Sequence, residues 1–266
     1  MQPLMNIAVR AARRAGEVII RSLNRLESLE VTSKGRNDYV SEVDQTAERE
    51  IIALIRKSYP DHAFLAEESG ATGDGPVTWI IDPLDGTTNF LHGFPQFSVS
   101  IACRVRGKLE CACVFDPLRQ EIFTASRGGG AHLENRRIRV SKQRTLDGSL
   151  IATGFPYRAN MQHLDAYLGM LRTVMQTAAG VRRPGSAALD LAYVAAGRVD
   201  GFWEIGLGEW DTAAGTLLIE EAGGRIGTLS GGEYRQGGNV VAGNPKVYAE
   251  LLEAIAPHLT DALREA

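Results

Sequence analysis

Two aspartates, Asp82 and Asp85, stand three apart across Pro83 in the stretch "WIIDPLDGTTNFLHG", Trp79 to Gly93. Pro83 fixes its own backbone torsion and biases Asp82 to an extended conformation, so the chain turns and brings Asp85 back beside Asp82. Two carboxylates that close repel. Either one is protonated or a cation lies between them, and an oxygen-rich pair suits a hard ion such as Mg²⁺. Gly86 lets backbone approach a ligand, and Thr87-Thr88-Asn89 supplies N-cap residue types at the mouth of a short helix whose free N–H groups attract phosphate. Asp-Pro and Asp-Gly are also common turn formers, so the stretch alone fits an acidic turn equally well.

More acid lies elsewhere. "LAEES" ends a predicted strand with Glu67 and Glu68, and "EWDTAAG" puts Asp211 at a helix start after Trp210. Singly, Asp211 is an N-cap and Glu67 a solvated strand end. Acids that end strands or open helices in several segments are how a fold converges ligands from distant parts of a chain. The haloacid-dehalogenase-type nucleophile has its second acid two residues on. Here the spacing is three with proline between, which argues against an aspartyl-phosphate mechanism. His62, His92, His132, His163 and His258 show no ligand spacing and are assigned no chemistry.

The elements that must position these groups follow from periodicity. Leu4, Ile7, Ala8, Ala11, Ala15, Val18 and Ile19 recur at helical spacing opposite Arg10, Arg13, Arg14, Glu17 and Arg21. A second helix is expected from about Val40 to Tyr59, stopping before Pro60, with Asp44 in its first turns. From Ala63 to about Leu133 the runs "AFLAE", "VTWIID", "FSVSIACRV", "ECACVFD" and "EIFTAS" read as closely spaced strands in antiparallel hairpins. "VTWIID" is apolar throughout, a buried strand that delivers Asp82 at its end. Arg127 to Gly130, "RGGG", precedes strand and turn rather than helix, so it reads as a tight hairpin. Helices return near 163–177, 186–196, 211–222 and 246–256, with the strand "VDGFWEI" and shorter ones near 225–229 and 239–242. Strand runs lie between helix runs, a mixed α and β layered architecture in one compact unit.

Composition narrows the function. With 266 residues, 44% hydrophobic and 23% charged, the chain is ordinary for a soluble globular protein, and a net charge of −3 argues against wrapping nucleic acid. Charged residues break the N-terminal segment, so it is not read as a signal peptide, and no run reaches membrane-spanning length. Cys103, Cys111 and Cys113 complete no zinc set and read as reduced packing residues of a cytoplasmic protein. The basic run Asn135 to Arg144 is a solvated face or a partner surface.

Taken together, "WIIDPLDGTTNF" and "WDTAAG" resemble the two signatures of the inositol monophosphatase family. Glu67-Glu68-Ser69, the region from Lys34 to Asp44, and "GSAALDLAYVAAGRVDGFWEIG" also match, so the resemblance spans essentially the whole chain. In character it is closest to the bacterial SuhB-type members. The resemblance implies a layered α-β-α-β-α sugar-phosphatase fold over 1–266, with halves of about 1–145 and 146–266. It also implies dependence on two or three Mg²⁺ ions, sensitivity to lithium and a homodimer. Carried over by position, Glu67, Asp82, the Leu84 carbonyl, Asp85 and Asp211 are metal ligands. Gly86 and Thr87 meet phosphate, while Arg182, Gly185, Ser186, Ala187, Glu204 and Asp211 hold the inositol ring. Lys34 corresponds to a loop near the phosphate, and Asp44 supports Thr87.

Hydrolysis of a phosphate monoester requires acceleration of up to ~10²¹-fold, roughly 28 kcal/mol, whereas a placed acid or base supplies about 10²–10⁴-fold. Charge neutralisation by metal must supply much of the remainder. The expected reaction is therefore in-line attack on inositol 1-phosphate by a metal-activated water oriented by Glu67 and by Thr87 with Asp44 behind it. Two alternatives stay open. One is a phosphatase of the same superfamily for another sugar or nucleotide phosphate. The other is a binding factor of the Nus-type antitermination complex on RNA polymerase, for which Arg182-Arg183 and the basic run are candidate contacts.

Overall fold

The computed structural model describes residues 2–35, 38–156 and 158–265. Helices α1 (Gln2–Ser22) and α2 (Glu42–Ser58) are joined through a hairpin of β1 (Val31–Gly35) and β2 (Asp38–Ser41). The larger sheet contains β3 (Ala63–Ala66), β4 (Gly70–Thr72), β5 (Val77–Asp85), β6 (Ser98–Val105), β7 (Lys108–Asp116), β8 (Glu121–Ser126), β9 (Gly130–Leu133) and β10 (Arg136–Arg137). Their spatial order is β10-β9-β8-β7-β6-β5-β3-β4, with the short helix α3 (Thr87–Leu91) following β5. The smaller sheet contains β11 (Leu150–Thr153), β12 (Gly180–Arg182), β13 (Gly201–Leu207), β14 (Arg225–Gly227) and β15 (Gly238–Gly243), ordered β12-β11-β13-β15-β14. Helices α4 (Leu164–Thr177), α5 (Ala187–Ala195) and α6 (Glu209–Glu221) connect these strands, and α7 (Pro245–Ile255) and α8 (Asp261–Glu265) follow them.

Side-chain alternation along each strand builds the layers. In β7, Cys111, Cys113 and Phe115 face the core under α1 and α2, while Leu109, Ala112 and Val114 face α5 and α6. In β13, Phe202 joins that central core, and Trp203 and Ile205 face α4 and α7. Helix pairs and sheets thus stack in five layers: α1 and α2, the larger sheet, α5 and α6, the smaller sheet, α4 and α7. Because both faces of both sheets are covered, "VTWIID" had to be apolar throughout.

Several expectations shift on contact with the fold. The second helix begins at Glu42 rather than Val40, because Ser41 caps it: its hydroxyl accepts from Val43 N at 3.2 Å, and Asp44 accepts from Ser41 N at 2.9 Å. The larger sheet is not wholly antiparallel, since β3 pairs parallel to β5. The strands β1, β2, β4, β11 and β12 were not legible as strands. The "RGGG" segment is the predicted hairpin, turning β8 into β9. Among the described residues no helix is long and apolar enough to cross a membrane.

Candidate active site

The site starts from an irregularity. Between Asp82 and Asp85, β5 advances three residues while β6 retreats two, from Ser100 to Ser98, so β5 carries one extra residue. Such a bulge re-aims the side chains around it. Leu84 N donates to Asp82 Oδ1 at 2.9 Å, fixing the first carboxylate at the turn around Pro83. The second is gripped from a distant segment: Asp85 Oδ2 accepts from Ser186 Oγ at 2.6 Å and from Ala188 N at 2.8 Å, at the N-terminus of α5.

Asp211 comes from the central helix layer. It does not cap α6 as read singly from sequence. The helix begins at Glu209, and Asp211 in its first turn accepts from Gly208 N at 2.6 Å. Arg104 of β6 pairs with Glu209, and Ser100 Oγ donates to the Trp210 carbonyl at 3.2 Å, so the larger sheet holds this helix end in place. One oxygen from each of Asp82, Asp85 and Asp211 lies within 4.8 Å of the others. Glu67, just after β3, donates its N–H to the Ile81 carbonyl at 3.1 Å and lines the same cleft.

Burial makes this cluster electrostatically costly. Asp82 is pushed well above the usual carboxylate range by burial, then by Glu67, Asp85 and Asp211. Asp85 is pushed up to about 7 by burial and then by Asp211, against the hydrogen bonds from Ser186 and α5. The cluster is thus a poor place for full negative charge unless a cation shares it. The donor set is all oxygen, with three carboxylates converging within 4.8 Å, and that chemistry fits a hard divalent ion such as Mg²⁺.

Thr87 opens α3, with Gly86 at its cap. Its Oγ1 lies 2.8 Å from Asp44 Oδ1 and 3.1 Å from the Leu84 carbonyl. Asp44 also accepts Ser41 N and, at 2.5 Å, Ser41 Oγ; burial raises its pKa against these hydrogen bonds. Gly86 has φ +96°, and a Cβ there would come within 2.9 Å of the Gln96 carbonyl and 3.2 Å of the Gly185 carbonyl. No other residue fits that crossing of two segments. Asn89 fastens it, its Nδ2 donating to the carbonyls of Gln96 (2.7 Å), Pro184 (2.8 Å) and Gly185 (3.2 Å).

A cleft of about 420 Å³ gathers most of the residues picked out by sequence: Glu67, Asp82, Leu84, Asp85, Gly86, Thr87, Gly185, Ala187, Glu204 and Asp211. Four picks are not among these: Asp44, which stands behind Thr87, and Arg182, Ser186 and Lys34. Arg182 is exposed at the end of β12, its guanidinium on the Val181 carbonyl, and its neighbour Arg183 lines the cleft instead. Adjacent residues of an extended segment face opposite ways, so a one-residue offset changes the face. Ser186 is fully buried beneath the cleft, with its hydroxyl on Asp85. Lys34 belongs to β1, and its side chain lies outside the described residues.

Sequence reasoning missed Phe155 and Asn160, and the buried Asp190 behind the site; it named Asn89 only as an N-cap type and Arg183 only beside Arg182 as a substrate or partner contact. The Arg183 guanidinium carbon sits 5.0 Å from the Phe155 ring centroid, a cation–π contact at the cleft wall. Asp190 carried a usable signal, a lone charge inside the apolar helical run "AALDLAYVA".

The chain is 55% identical to a Nus factor SuhB of Pseudomonas aeruginosa, over 99% of this chain and all of the relative. It is 52% identical to a Nus factor SuhB of Escherichia coli K12 at the same coverage. The solved extragenic suppressor protein suhB of Bartonella henselae superposes with TM-score 0.92 at 46% identity, over 95% of this chain and 98% of that one. An IMPase of Thermotoga maritima gives 0.88 at 34%, over 97% and 98%. The profile of the inositol monophosphatase family matches residues 1–262, and the chain belongs to that family.

Proposed function

We propose that the chain is a Mg²⁺-dependent phosphomonoesterase acting on inositol 1-phosphate and related inositol monophosphates. The observation that carries this reading is the convergence of Asp82, Asp85 and Asp211 on one point of the cleft. Two or three Mg²⁺ ions held by Glu67, Asp82, the Leu84 carbonyl, Asp85 and Asp211 would neutralise phosphate charge and make water a nucleophile near neutral pH.

The chain's own residues do the positioning. Thr87 has one hydroxyl proton, and Asp44 is its nearer acceptor at 2.8 Å. Its lone pairs are then left to accept from a water and aim it at phosphorus. Asp44 is held by Ser41 from the other side, so Thr87 cannot turn away. Glu67 at the same cleft helps orient the water, and Gly86 and Thr87 seat the phosphate. Gly185, Ala187, Glu204, Asp211 and Arg183 face the remaining space, where hydroxyls of a polyol meet charged and backbone groups.

A panel of inositol, sugar and nucleotide phosphates, with and without Mg²⁺ and lithium, tests the substrate. Absence of phosphate release from inositol monophosphates would overturn that part of the reading. A second reading rests on relatives at 48–55% identity that carry the name Nus factor SuhB. On that reading the chain is a binding factor in Nus-type antitermination on RNA polymerase. Rescue of a deletion strain by Asp82→Asn would favour it over catalysis. A homodimer and a single domain in the cytoplasm belong to the first reading, and sedimentation at micromolar concentration checks the dimer.

A further inference from the structure

Helix α2 carries two buried acids on one face. Asp44 and Glu48 stand four residues apart, so they point the same way, and they share that face with Ala47, Ile51 and Ile55. Asp44 holds Thr87, whereas Glu48 has no part in the phosphatase reading. Glu48 is only 4% exposed. A buried carboxylate needs hydrogen-bond donors, because burying it without them is costly.

The donors come from the hairpin loop that carries Glu67. Strand β3 turns into β4 through Glu67, Glu68 and Ser69, and Gly70 closes the turn with φ +71°. Glu48 Oε2 accepts from Glu68 N at 2.8 Å and Oε1 from Ser69 N at 2.9 Å, so each oxygen takes one amide. This hairpin is the last strand pair of the larger sheet, with β4 at its edge. Loops at a sheet edge open more easily than core strands, and two charge-assisted hydrogen bonds from a neighbouring helix oppose that opening. The other side of the loop is fixed to β5, where Glu67 N donates to the Ile81 carbonyl at 3.1 Å, one residue before Asp82. Glu67 is therefore held between α2 and the strand that delivers the aspartates.

We propose that Glu48 is a positioning residue for Glu67. The helix face that holds Thr87 through Asp44 Oδ1 at 2.8 Å also holds the Glu67 loop through Glu48. A single helix thus sets the separation of the two groups that orient the attacking water. The inference rests on the phosphatase reading and adds to it a buried residue outside the cleft. Removing the Glu48 carboxylate leaves two amides without their acceptor and frees Glu67 to drift from Asp82. Loss of a group that orients a metal ligand typically weakens metal binding by about 10–100-fold.

The test titrates Mg²⁺ into the full chain as wild type, Glu48→Gln, Glu48→Ala, Glu67→Ala and the Glu48→Ala/Glu67→Ala pair. It reads both the rise in melting temperature and the rate of phosphate release from inositol 1-phosphate. Glu48→Ala should raise the half-maximal Mg²⁺ concentration about tenfold in both readouts, with KM at saturating Mg²⁺ unchanged. Glutamine keeps one acceptor and should lie between alanine and wild type. In the Glu67→Ala background, loss of Glu48 should add nothing, because its effect passes through Glu67. An unchanged Mg²⁺ requirement in Glu48→Ala, or losses that add in the double variant, would overturn the positioning role even where stability falls. Amide exchange in the wild type needs no variant: the Glu68 and Ser69 N–H groups should exchange slowly although they lie in a loop, and free exchange of both would also overturn it. A wild type that neither responds to Mg²⁺ nor releases phosphate fails the phosphatase reading itself. A responsive wild type with an indifferent Glu48→Ala fails the Glu48 role alone.

Discussion

The larger sheet uses the same turn twice. Strands β5 and β7 run in the same direction, each antiparallel to β6, and each carries Asp-Pro-Leu at its C-terminal end. Asp82 and Asp116 are both buried, and each accepts the N–H of the leucine two residues on at 2.9 Å. The residue three positions on separates them. At 119 it is arginine, whose Nη1 meets Asp116 Oδ2 at 2.8 Å and closes the turn as an ion pair. At 85 it is a second aspartate, and Asp211 arrives from α6 as a third. The turn is generic; the charge at its fourth position decides whether it is closed as an ion pair or left as a cluster of like charge.

The sharpest way to break this contrast is to neutralise the open turn. Asp82→Asn should lower kcat for phosphate release on the order of 10³-fold, as loss of a principal transition-state contact does. The same variant should raise the melting temperature of the metal-free protein, because it removes a buried repulsion.

A pH titration distinguishes the two turns without mutation. Asp85 binds its proton more tightly in the folded state, at about 7, than its ordinary value of 3.8. Its stabilising contribution is therefore present below about 4 and is lost as pH rises through about 7. Asp82 and Asp190 act with the same sign. His62, lowered by burial, acts in the other direction, costing stability as pH falls through its ordinary range. Calorimetry of metal-free protein should show melting falling from pH 5 to pH 8, with millimolar Mg²⁺ removing the fall.

The closed turn should respond in stability and not in rate. Asp116→Ala strands the N–H groups of Leu118 and Arg119, each 2.9 Å from Oδ1, and should cost about 1–3 kcal/mol in denaturant titration. Its kcat/KM should stay within about twofold of wild type, a change too small to count as a lost contact. Arg119→Met should do least, at most about 1 kcal/mol, because the arginine is 45% exposed and solvent screens the pair.

These particular residues show what sequence reveals. Asp82, Asp85, Glu67 and Asp211 were legible only as a set: each alone has an ordinary use as a turn former, cap or strand end, and their recurrence in several segments, with the two signatures, joined them. The layers were legible where period-two and helical patterns were long, as in β5, β7, α1 and α2. The four residues of β11 are too short to show a period, β1 drew no assignment, and only the end of β2 was taken into the expected start of the second helix. Arg183 was hidden by its neighbour Arg182, because composition does not reveal which face a residue takes. Ser186 was read as a substrate contact because its true partner, Asp85, lies 101 residues away. Asp190 needed the central layer to be seen as buried.

That separation between Asp85 and Ser186 also has a meaning during synthesis. At roughly 5–20 residues per second, a ribosome needs on the order of 5–20 s to add the intervening chain, and longer to reach Asp211. Through that interval the nascent chain carries Asp82 and Asp85 without the helix that grips one and without the acid that joins them. On the phosphatase reading, an incomplete polypeptide is thus a poor trap for divalent ions and has no assembled chemistry to misapply. Competence arrives only when the second sheet closes over the first.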